Sequence, residues 1–156
     1  MESDTERAAH IIVDLQGTFS ASGEARLSTV AARLVDTRSG TKPAAGSITR
    51  VTTNRAGATS ALVNLTMSEA DAAGYVTADR CSALTPGPQA KSNGNYTAGA
   101  NIANLAVVPL DSDGRFCIYT ERSVQLLVDI QGTFTSSGTL GFERADSTRL
   151  LDTRLS

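Results

Sequence analysis

Read for alternation of apolar and polar residues, the chain resolves into short strand-like runs separated by turns. Residues 10–19 set Ile11, Val13 and Leu15 against Ile12 and Asp14, the period-2 signature of a strand with one buried face. Residues 59–67 are the cleanest run: Ala61, Val63, Leu65 and Met67 share one face and Leu62, Asn64 and Thr66 the other, which predicts a central strand. Further runs cover 47–53, 75–80, 101–110, 115–120 and 124–134, and within 115–120 Phe116 and Ile118 are expected to face the core, Cys117 and Tyr119 to face away. Turn chemistry divides them at 42–46 (KPAAG), 54–57, 111–114 (DSDG) and 121–123. Residues 68–73 predict one helical turn, with Ser68 as its cap and Glu69 and Asp71 in its first turn. The pattern predicts an all-β chain, an antiparallel β-sandwich of jelly-roll-like type with about eight to ten short strands and at most one short helical turn.

Two of these runs are near copies. Residues 13–19 (VDLQGTF) and 128–134 (VDIQGTF) differ only at Leu15 against Ile130, at an offset of 115 residues (13 to 128). Residues 33–38 (RLVDTR) recur at 149–154 (RLLDTR), at an offset of 116 (33 to 149). One full repeat with a second copy of its junction is how a stretch of tandem array looks. The expected organisation is an N-terminal segment, 1–32, carrying a copy of the closing strand and a linker; a full sandwich repeat, 33–134; and a linker with the start of a following copy, 135–156. The one-residue change in offset places the extra residue in a connector, 20–32 and its copy 135–148, because an insertion there spares the strand register.

Composition narrows the function classes. The 156 residues carry a formal net charge of −2 and 19% charged residues with no basic block, which argues against nucleic acid and anionic membrane surfaces as partners. Aromatic residues are 4% and Trp is absent, which lowers stacking-based recognition of single strands and sugars. No apolar run approaches the roughly 20 residues of a membrane span, so no membrane insertion is expected. The opening MESDTERAAH is charged and carries no signal-peptide pattern.

Candidate chemistry is sparse. The paired motifs put Asp14 and Asp129 on the less apolar face of a strand and Arg33, Asp36 and Arg38 near a repeat boundary. A partly buried charge needs a partner, so structural ion pairs between the strand Asp and an Arg of RLxDTR account for both motifs; an acidic binding or catalytic cluster is the alternative. DSDG has carboxylates at i and i+2 but lacks the remaining ligands of a calcium loop, and a hairpin turn is the reading. His10 is the only histidine, so Ser-His-Asp and Cys-His arrangements have no base inside the full repeat and zinc has too few ligands. No catalytic residue, metal or cofactor is expected. Asn93, Asn95, Tyr96, Asn101 and Asn104, with the loop 85–94, form the candidate ligand surface, for a cell-surface glycan or another protein. Cys81 and Cys117 each lie at or near the end of a strand-like run; they are either a disulfide or two buried thiols.

The ordered set RLxDTR, a central NLT strand, GYVT before a Cys, NYTAG with ANLAVVPL, and a GR-x-CIY run closing on LLVDIQGTF resembles a repeat of secreted and surface proteins of actinobacteria and some other bacteria. The resemblance spans residues 33–134. It implies a secreted β-rich accessory module, extracellular or on the cell surface, with a Cys81–Cys117 bridge, and brings no catalytic residues. The expected function is a non-catalytic structural or adhesion module. A lectin-like module binding carbohydrate or cell wall is the alternative. A second alternative is a self-assembling fibre or virion subunit linked head to tail through residues 10–19 and 125–134.

Overall fold

The computed structural model describes residues 12–21, 25–135 and 140–153. Ten strands follow in order: β1 (Ile12–Ser20), β2 (Ala25–Asp36), β3 (Ile48–Thr52), β4 (Ser60–Ser68), β5 (Gly74–Asp79), β6 (Gly94–Tyr96), β7 (Ile102–Pro109), β8 (Arg115–Thr120), β9 (Gln125–Thr135) and β10 (Leu140–Asp152). They form a six-stranded sheet of order β1-β10-β2-β9-β4-β7 and a four-stranded sheet of order β3-β8-β5-β6, every pairing antiparallel. The chain is an antiparallel β-sandwich.

Alternation builds its core. β4 lies between β9 and β7, and Ala61, Val63, Leu65 and Met67 are all buried. Their partners across the strands, Val128 opposite Leu65 and Ile130 opposite Val63, are buried beside them. From the smaller sheet Val51, Val76, Phe116 and Ile118 close the other side. Cys117 and Tyr119 point the opposite way, into a second small cluster with Leu84. Among the described residues no buried side-chain polar atom lacks a hydrogen-bond partner.

Several details depart from the expectations. Residues 25–32, read as connector, are strand and run without interruption into RLVDTR as β2; most of the copy, 140–148, is likewise strand, in β10. The short helical turns are 3-10 turns at Thr37–Ser39 and Cys81–Ala83, not at 68–73. There, Ser68 is the last residue of β4 and Glu69 takes a φ of 52°, which breaks a helical start. The DSDG segment closes as a turn, with the Gly114 amide donating to the Asp111 carbonyl at 2.9 Å, but it is no hairpin: β7 enters one sheet and β8 the other.

The two repeated motifs meet each other twice. In β2:β9 Arg33 stands opposite Asp129, Val35 opposite Val128 and Asp36 opposite Leu127. In β1:β10 the register is the same: Asp14 opposite Arg149, Leu151 opposite Val13 and Asp152 opposite Ile12. The other ends also correspond, Thr29 with Gly132 and Arg26 with Thr135 in the first pair, Arg144 with Gly17 and Gly141 with Ser20 in the second. Both pairs are interrupted between these stretches, where the register shifts from Thr29/Ala32 and from Leu15/Gly17. The extra residue of the second copy therefore sits in a β-bulge, which absorbs an insertion while pairing resumes in register on both sides. It does not sit in a connector.

β2 and β10 touch through three pairs, Leu140 with Leu27, Gly141 with Arg26 and Phe142 with Ala25. Under the repeat correspondence the first and last exchange and the middle one maps onto itself, so a local two-fold relates the two ribbons. Phe142 fixes the contact, with ring centroids 5.3 Å from Phe19 and 6.0 Å from Phe134.

Gly132, beside the bulge, shows how closely the ribbon strands approach. A Cβ there would lie 2.6 Å from Leu27 Cδ1 and 3.1 Å from the Ser28 carbonyl oxygen. Gly132→Ala is expected to lower stability by about 1–3 kcal/mol, measured as a shifted urea midpoint with an unchanged slope.

Candidate functional site

The charged cluster foreseen from the motifs assembles where β2 meets β9. Arg33 donates through Nε to Asp129 Oδ1 and through Nη2 to Asp129 Oδ2 at 3.1 Å, and through Nη1 to Asp36 Oδ2 at 2.9 Å. Arg38 donates through Nε and Nη2 to the same Asp36, at 2.9 and 2.7 Å. The cluster is two guanidinium groups and two carboxylates, with no net charge. Its hydrogen bond to Asp129 raises the Arg33 pKa, against the desolvation that lowers it. The hydrogen bond from Arg38 holds the Asp36 carboxyl well below the usual carboxylate range. Both guanidinium groups thus favour the ionised form of Asp36. The side chain of Asp14 lies outside the described residues, as does His10.

Each residue of the DTR triplet has a task. Asp36 Oδ1 accepts from the Arg38 amide at 3.1 Å and caps the 3-10 turn. Thr37 Oγ1 donates to Gln125 Oε1 at 2.5 Å and accepts from the Leu126 amide at 2.8 Å, stitching the end of β2 to the start of β9. The role of Thr37 was missed in the sequence reading, although its recurrence as Thr153 in the second motif was the available signal. A shallow, open hollow of about 720 Å³ runs beside the cluster, lined by Thr29, Val30, Ala32, Arg33, Asp129 and Gln131. Its charged groups already satisfy one another.

The candidate ligand surface is used internally to a large degree. Tyr96 is buried, and its hydroxyl donates to the Arg122 carbonyl at 2.8 Å while accepting from the Arg122 amide at 3.1 Å. Asn93 Oδ1 accepts from the Ala78 amide at 2.7 Å, Asn104 Nδ2 donates to the Asn93 carbonyl at 2.9 Å, and Asn101 Oδ1 accepts from Ser68 Oγ at 2.6 Å. Asn95 is exposed, beside Tyr75, Gln89 and Lys91 around a hollow of about 220 Å³. Four of the five thus make internal bonds: Asn93 and Asn104 at the segment before β6, Tyr96 to the turn at Arg122, and Asn101 to the end of β4.

Cys81 and Cys117 form a disulfide, with Cα atoms 4.7 Å apart. It ties the root of the 80–93 loop to the outer face of β8, where Cys117 stands opposite Asp79 of β5. Asp111 completes the anchor: it accepts from the Cys81 amide at 2.9 Å and from Ser82 Oγ at 2.6 Å. Those bonds, led by the one from Ser82, lower the Asp111 pKa. Further along the loop Lys91 pairs with Asp79, and the Gln89 amide donates to the Tyr75 hydroxyl at 2.8 Å. Bonds of this kind form and persist in oxidising environments, which the disulfide suggests for this chain.

Among the described residues there is no group of three metal-ligating side chains, and no helix is long and apolar enough to cross a membrane. Compared with protein-family models, curated proteins and solved structures, the chain matches none.

Removing the cross-link by Cys81→Ser with Cys117→Ser is expected to lower stability by about 3–4 kcal/mol on the loop-entropy estimate, read from urea denaturation. Acid supplies an independent check. Asp36, Asp71, Asp79 and Asp111 all have lowered pKa values in the folded chain, so the stability they contribute is present above the unfolded value of about 4 and is lost as pH falls below it. The urea midpoint should hold from pH 7 to about pH 5 and drop towards pH 3, and Asp111→Asn should drop less over that range than the parent.

Proposed function

We propose that this chain is a non-catalytic structural module of an extracellular or cell-surface protein, a repeat unit that spaces or displays what is joined to it. The observation that carries this reading is the duplicated pairing. The closing motif VDxQGTF and the opening motif RLxDTR pair in one register both in the body, as β2:β9, and between the two ends of the chain, as β1:β10. A motif whose two occurrences both serve strand pairing is explained by architecture, with no ligand required. The disulfide supports a location outside reducing compartments. The internal bonding of Asn93 and Tyr96 supports the structural reading over the lectin-like one, because a recognition surface needs polar groups left available to the ligand.

Screening the purified protein on a glycan array and on cell-wall fragments at high protein concentration tests the reading. No saturable binding is expected. Saturable binding that Asn95→Ala or Lys91→Ala abolishes would replace the structural module with a lectin.

A further inference from the structure

We propose that the β1:β10 ribbon is a docking site for a second sandwich core of the kind formed by residues 39–124. This rests on the module reading above and names the partner of one surface. The twin ribbon shows what such a core does. In β2:β9 the second edge of β9 is taken by β4, from Ser60 opposite Phe134 to Ser68 opposite Gln125, and the four-stranded sheet covers the inner face.

Among the described residues the ribbon β1:β10 repeats that half-sandwich without its cover. Among the described residues β1 pairs with β10 alone and forms the edge of the sheet. Val13 corresponds to Val128, yet it is 40% exposed where Val128 is 0%. Phe19 corresponds to Phe134 and is 46% exposed against 6%. Leu150 and Leu151, 60% and 46% exposed, correspond to Leu34 and Val35, which pack against the core. The ribbon thus presents four large apolar side chains whose counterparts in the body lie in or against packed structure. It also offers a strand edge whose counterpart is paired.

The chemistry of the occupant follows from the covered twin. It is a strand with small and aliphatic residues alternating as in β4, beside a second layer bearing residues of the Phe116 and Ile118 kind. Leu105 and Val107 on β7 are also exposed, but they have no covered counterpart in the chain to identify a partner.

The test appends residues 39–124 after Arg154. The second core then arrives without a closing strand of its own, and β1 is the strand positioned to close it. The appended core is expected to fold and its copies of Cys81 and Cys117 to join, leaving no free thiol. A thiol introduced by Val13→Cys should react at least about tenfold more slowly in the extended chain than in the original. Val13→Asp should release the extension alone, so that limited proteolysis trims it and spares the body. A parallel chain extended with residues 39–134 carries its own closing strand and reports whether an appended core folds at all. If that chain folds while the 39–124 extension stays reduced and protease-sensitive, or if neither extension folds, the ribbon takes no core and the proposal falls, with the module reading left standing. The proposal falls as well if sedimentation shows the original chain to be a dimer in which the Val13→Cys thiol is already protected, because the occupant is then a second copy.

Discussion

The sandwich depends on the pairing of β2 with β9, which brings together residues as far apart in sequence as Arg33 and Asp129, 96 positions from one another. Without it β9 loses one of its two neighbours, and Val30, Leu34 and Val35 of β2 have no place against the core. Contacts of such long sequence separation must be reached before local gains reward them, which makes β-sandwiches intrinsically slow to fold. The side chains that mark the pairing are not its main source of stability. Arg33 is 42% exposed, and ion pairs at such positions contribute little net stabilisation in water. Their value is positional: Arg33 and Thr37 tie one strand to the other at defined residues, and a slip by one would turn the inward-facing residues outward. The burial of the residues behind them supplies most of the favourable free energy.

The second constraint acts on the other sheet. Its outer face carries only a small cluster, Leu84, Cys117 and Tyr119 with Tyr75, Ile48 and Cys81 packed against it, too few side chains to hold a loop of more than a dozen residues by burial alone. Covalent closure and hydrogen bonds take over that work. The disulfide anchors one end of the loop, Asp111 holds the 3-10 turn that carries Cys81, and Tyr75, Thr77 and Asn93 bind the rest along β5. A loop of polar composition resembles a binding surface because free and bonded amides are the same letters. Here most are spent on order.

Much of the strand pattern was legible, for a physical reason. In β4 one face is buried and the other only half-buried, so alternation in the letters reports burial directly. Residues 25–32 were not legible as strand. Their side chains are mostly small or polar, and they are strand because β9 and β10 supply backbone partners, which composition does not record. The bulge was hidden similarly: an offset changing from 115 to 116 shows that a residue was added between two motifs, but whether a loop or a strand absorbs it depends on the pairing around it.

By itself the sequence determined that this is an all-β chain, which residues face inward in its central strands, and which segments are equivalent, because alternation and repetition are properties of single segments. Only the tertiary structure decided which equivalent segment pairs with which. Two opening and two closing strands carrying nearly the same motifs admit more than one pairing, and the choice rests on where the chain between them folds. The tertiary structure also decided which polar groups are satisfied internally, since a hydrogen bond needs two partners in place and the sequence names them one at a time. The same holds for Val13 and Val128, one letter in one motif, exposed in one ribbon and buried in the other according to whether a second sheet lies across it.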